Sequence, residues 1–152
     1  MSPSDRSTRE YSEQIESILP AGYHHRTPRK WQFDDGTGST IIVDIWLQKS
    51  RYGDDRYLNI NLTFPFLEHE LPSRPGLPYI TTRADQIVPG FSVSMLEDPK
   101  SHSFESSHTA VLDLRRFFTQ VTSTEWVKAQ GKKYWQDNAI VEIRVAEWLD
   151  VI

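Results

Sequence analysis

From Thr40 to Phe64 the chain alternates with a period of two, and this pattern narrows the possible folds more than any other feature of the sequence. In the first run Ile41, Val43, Ile45 and Leu47 alternate with Ile42, Asp44, Trp46 and Gln48. After Tyr52-Gly53-Asp54-Asp55, which has turn chemistry, Leu58, Ile60, Leu62 and Phe64 alternate with Tyr57, Asn59, Asn61 and Thr63. Successive strand side chains point to opposite faces, so each run has one wholly apolar side and one mixed side. Two such strands make an amphipathic meander whose apolar face wants a helix laid over it.

The nearest cover lies upstream. Tyr11, Ile15, Ile18 and Leu19 fall at i, i+4, i+7 and i+8, one apolar stripe of a helix predicted from Arg9. Ser7 and Glu10 have capping-box spacing, and Pro20-Ala21-Gly22 supplies the stop. The expected fold class is therefore α+β: a single domain whose antiparallel β-meander is covered on one face by an N-terminal helix and C-terminal helices. Residues 1–8 are expected to be a flexible N-terminus and 9–152 the domain, since 152 residues suit one domain.

Around that frame, Lys30-Trp31-Gln32-Phe33 reads as a strand, followed by turn residues Asp34 to Ser39. Residues 65–78 hold four prolines yet keep Phe66, Leu67, Leu71 and Leu77, which predicts an irregular loop packed on the domain. Tyr79 to Thr82 and Phe91 to Leu96 are further strand candidates. Helices are expected over Ser107–Val121 and from Ser123 through Trp135, the latter weakened by about 1 kcal/mol at Gly131. Val141 to Leu149 fits either a strand or a helix, and the helix is favoured.

Five Trp, six Tyr and seven Phe supply the apolar area that opposes disorder. At least half of the Trp residues are expected in the core. The absence of cysteine removes thiol catalysis and every cysteine-ligated metal site, and it fits a reducing compartment. No apolar run reaches the roughly 20 residues of a membrane span, and Met1 to Arg6 lacks the apolar core of a signal peptide. The expected location is cytoplasmic. A formal charge of −4 weighs against wholesale nucleic-acid binding but not against a local basic patch.

No His-x-x-x-His or His-Glu-x-x-His spacing occurs among the five histidines, and no metal or cofactor is expected. Asp34-Asp35 and Asp54-Asp55 flank glycines in predicted turns, a setting unlike that of paired acid–base carboxylates. The sharpest local signal is Tyr23 to Trp31, where Arg26, Arg29 and Lys30 stand beside Trp31. Lys49 and Arg51 follow the longest strand. These six side chains are the candidate binding residues, against the plainer reading of a solvated connector. Nucleophile elbows, phosphate-cradling loops and dinucleotide fingerprints are missing, so no catalytic residue is assigned.

The helix closing on Ala21-Gly22-Tyr23, the step Arg29-Lys30-Trp31, the strand end Trp46-Leu47-Gln48-Lys49-Ser50 and the strand Tyr57 to Leu62 occur in one order. Over roughly residues 9–64 this resembles a bacterial family, domain-of-unknown-function family 4304. The resemblance implies no chemistry and no catalytic residue. The leading expectation is a protein-interaction module, of the kind found among immunity-type inhibitors of bacterial toxins. The alternative is a small-ligand or nucleic-acid binder using residues 23–31 and 48–52. An enzyme of unknown class comes third.

Overall fold

The computed structural model describes residues 3–34, 40–51, 56–93, 96 and 104–151, excluding the side chains of 3–8, 104–108 and 131–133. In chain order the elements are α1 (Pro3–Ile18), β1 (Tyr23–Thr27), β2 (Lys30–Asp34), β3 (Ile42–Lys49) and β4 (Arg56–Thr63). A 3₁₀ helix (Pro65–Glu70) follows, then β5 (Tyr79–Arg83), α2 (Ala84–Ile87), α3 (Phe104–Gln120), α4 (Thr124–Asn138), β6 (Ile140–Val141) and α5 (Ile143–Leu149). All six strands form one antiparallel sheet in the order β1-β2-β3-β4-β5-β6. The fold is α+β, as the alternation requires.

The apolar sides of β3 and β4 coincide because Val43 faces Leu62, Ile45 faces Ile60 and Leu47 faces Leu58. All six are buried, together with Ile41, Phe64 and Ile80. Onto this face α1 lays Tyr11, Ile15 and Ile18, α3 lays Ala110, Leu114, Phe117 and Phe118, and α4 lays Val127 and Trp135. Edge-to-face contacts join Phe117 to Trp126 and Trp135, and Tyr134 to Trp135. Aromatic pairs of this kind add about 0.5–1.5 kcal/mol each beyond the area they bury. Trp135 also donates its indole N–H to the Val127 carbonyl at 2.8 Å, so its polar atom is satisfied.

Several elements differ from the sequence-based expectation. α1 begins at Pro3 rather than Arg9, with Pro at the first helical position, where its missing N–H costs nothing. Ser7 therefore lies inside the helix instead of capping it. Tyr23–Thr27 is a strand and not a connector, because it pairs with β2 despite its polar composition. Gly22 turns the chain into it with φ +102, a region where a side chain is strained. Of the strand candidate Phe91 to Leu96, residues 94–95 lie outside the described residues, and Phe91 to Val93 is not a strand although Phe91 and Val93 are both buried in the core. Of the five Trp, Trp31 and Trp135 are fully buried in the core, half-buried Trp126 and Trp148 pack against it, and Trp46 is half-buried. The turns holding Asp35 and Asp54-Asp55 lie outside the described residues.

At the C-terminal end the strand and helix patterns are both used, in succession. Glu142 is the N-cap between β6 and α5, and its carboxylate accepts from the Arg144 backbone N–H. Arg144, 1% exposed, donates Nε to the same carboxylate at 2.6 Å and Nη2 pairs with it as well. Nη2 also donates to the Gly76 carbonyl at 2.8 Å, and Nη1 to the Glu68 carbonyl at 3.2 Å. One buried guanidinium thus straps the Pro-rich 65–78 segment to the start of α5. Burial pushes the Glu142 carboxyl up, but the bonds from Arg144, its charge and that of Arg74 outweigh this and hold it below the ordinary range.

Candidate functional site

The helices cover one face of the sheet, and the other face is where functional side chains gather. Register lines up one transverse row across all six strands: His24, Gln32, Asp44, Asn61, Thr81 and Ile140. Gln32 donates to Asp44 at 3.0 Å, and Thr81 donates to Asn61 at 2.6 Å. A second row holds Lys30, Trp46, Asn59 and Arg83. Asn59 donates diagonally to Gln48 at 2.6 Å, and the Arg83 guanidinium lies 4.7 Å from the Tyr57 ring centre. Cross-strand pairs like these contribute about 0.2–1 kcal/mol each and hold the side chains in fixed positions.

Hollows open on this face among the described residues. The first, of about 300 Å³, is lined by Arg26, Lys30, Gln32, Asp44, Trp46 and Asn61 among others. Lys30 and Trp46 enter it because they are register partners on β2 and β3. Arg26 enters it from β1, at the point where the pairing with β2 slips between His25 and Thr27. The second, of about 420 Å³, is bounded by Thr63, Leu77, Tyr79 and Ile140. Its rim is apolar: Ile140 is 67% exposed and Leu77 38%. The third, of about 400 Å³, lies where β5 runs past the end of β6, between Asn59, Arg83, Gln86 and Asp137.

Of the sequence-derived candidates, Arg26, Lys30 and the buried Trp31 line one hollow. Arg29 is exposed in the β1–β2 turn, where its carbonyl accepts from the Leu47 N–H at 2.8 Å. Lys49 and Arg51 are exposed at the far end of β3 and beyond it, and Lys49 pairs in register with Arg56. Arg56 itself lies over the Tyr11 ring of α1, 4.6 Å from its centre, so that pair belongs to the helix side. Trp31 is not a surface anchor. It is 1% exposed, and the His25 ring stacks on it with centres 5.0 Å apart. The alternation had this signal all along, since Trp31 is opposite Ile45 on the apolar side.

The residues missed are Asp44, Asn61, Arg83 and Ile140. Trp46 and its polar neighbours were legible as the mixed side of β3 and β4, whereas Arg83 and Ile140 join the site only through β5 and β6 pairing. The titratable groups with displaced pKa values lie elsewhere. Burial raises the Tyr23 phenol, which donates to the Phe118 carbonyl at 2.7 Å, and pushes Tyr134 up to about 12. Both stay protonated and serve packing. No group of three His, Asp or Glu side chains suited to a metal ion occurs among the described residues. No helix of the described residues is long and apolar enough to cross a membrane.

Comparison with family models, curated proteins and solved structures produced no match.

Proposed function

We propose that this protein is an interaction module, of the immunity-inhibitor kind, that docks a protein partner on the open face of its sheet. The observation that carries the reading is the row from His24 to Ile140, a rigid mixed surface crossing six strands with Trp46 beside it and an exposed apolar rim at its end. Half-exposed Trp and a fixed polar network are what interface anchors are made of. The hollows are shallow and spread along the face, which suits a broad partner better than a buried substrate.

The test combines Trp46→Ala with Ile140→Asp. Wild-type protein recovers a stoichiometric partner from a host lysate, and the double variant loses it while its thermal unfolding stays near wild type. Equal recovery by both proteins, or repeated recovery of the domain alone, removes the reading.

A second reading rests on the grouping of Arg26 and Lys30 beside Trp46, which would also suit a nucleotide-like ligand: cations for phosphate and an indole for a base. It predicts salt-sensitive binding that Arg26→Ala with Lys30→Ala abolishes. Binding unchanged in that variant removes it.

A further inference from the structure

We propose that β1 is a receiving edge, to which an extended acidic segment of the protein partner adds as one more strand. The inference rests on the docking reading above and names the chemistry of the partner.

β1 is the outer strand of the sheet and, among the described residues, pairs with β2 alone. His24, His25, Arg26 and Thr27 are all exposed along it. An unpaired edge presents a line of N–H and C=O groups, and proteins usually blunt such edges or use them. The other edge is blunted: β6 has only two residues. β1 has five and stands next to a hollow.

Charge selects the occupant. From Ser17 through Phe33 there is no acidic residue, while Arg26, Arg29 and Lys30 are present, in a chain whose formal charge is −4. On the helix side, Glu16 Oε1 lies 4.0 Å from Nδ1 of His25. On the open side Arg26 and Lys30 share their hollow with Asp44, whose carboxylate already accepts from Gln32. A second copy of this chain paired through β1 would bring the two copies' Arg26 side chains together, and like charges on facing strands repel. A nucleic acid has no peptide backbone to pair with the edge. An acidic polypeptide satisfies both the edge and the cations: its backbone pairs with β1, and alternate carboxylates reach Arg26 and Lys30 across the open face.

Fluorescence anisotropy with three labelled probes tests this: a heptapeptide alternating Glu and Val, the same peptide with every backbone nitrogen methylated, and a short oligothymidylate. The expected result is that the first probe binds, weakens as salt rises, and loses about tenfold or more in affinity both on methylation and with Arg26→Glu. Circular dichroism and thermal unfolding confirm that the exposed Arg26→Glu variant is folded. Three outcomes overturn the proposal: no binding of the acidic peptide, equal binding of the methylated peptide, or tighter binding of the oligothymidylate. The capture experiment with Trp46→Ala and Ile140→Asp reads the open face separately. Loss of partner in that variant, without any peptide binding, removes the receiving edge and leaves the docking reading standing.

Discussion

The two faces of this sheet are built from the same strands and behave as different materials. On β3, Val43, Ile45 and Leu47 are buried beneath α1, α3 and α4, while Asp44, Trp46 and Gln48, one residue away, stay partly or fully exposed. The covered face is held by close packing, so its energy depends on volume. The open face is held by directional pairs such as Gln32 with Asp44 and Thr81 with Asn61, which fix side-chain positions at small energetic gain. Rigidity without a large stability contribution suits a surface kept for binding. Polar groups divide the same way: Arg144 is buried and fully partnered, whereas Arg26 and Lys30 face solvent.

The largest expected effect sharpens that division of polar groups. Arg144→Ala should cost about 3–5 kcal/mol in chemical denaturation, because it leaves the Glu142 carboxylate buried without its cation and frees the Glu68 and Gly76 carbonyls. Arg26→Ala should stay within about 0.5 kcal/mol of wild type. Comparable losses for the two would break the comparison.

Neighbours on one strand give the next test. Ile45→Ala removes a fully buried side chain and should cost about 2–5 kcal/mol. Asp44→Ala loses one cross-strand pair on the reverse face and should cost no more than about 1 kcal/mol.

Acid should weaken the Glu142–Arg144 strap. A carboxyl held below its ordinary range stabilises the fold above the unfolded value near 4.5, and that contribution is lost as pH falls through the folded value. The stability gap between wild type and Glu142→Gln should therefore narrow below about pH 4.5, read from urea midpoints across pH. A gap that is constant with pH would show that the pair contributes no acid dependence.

Trp46→Ala is expected to cost about 1 kcal/mol or less in stability because the indole is half-buried on the open face. Its consequence should appear in partner capture instead. A loss of several kcal/mol would place Trp46 in the packing and not in the interface.

How much was legible follows from the range of each signal. Alternation between Ile41 and Phe64 determined the pairing faces, and the stripe of Tyr11, Ile15 and Ile18 determined the covering helix, because periodicity is a local property of the chain. Ser123 likewise announced α4, accepting from the Trp126 N–H as an N-cap should. β1 was hidden because Tyr23 to Thr27 has no alternation and is held in the sheet by β2 alone. The Arg144 strap was hidden because Glu68, Gly76 and Glu142 meet only in three dimensions. The candidate site falls between these cases. Local pattern placed Asp44, Trp46 and Asn61 on one side, but only strand order brought Arg26, Lys30, Arg83 and Ile140 onto that side with them. The sequence by itself determined which residues share a strand face, since that depends on neighbours two positions apart. The tertiary structure decided which strands lie side by side, since that depends on burial shared by residues far apart in the chain.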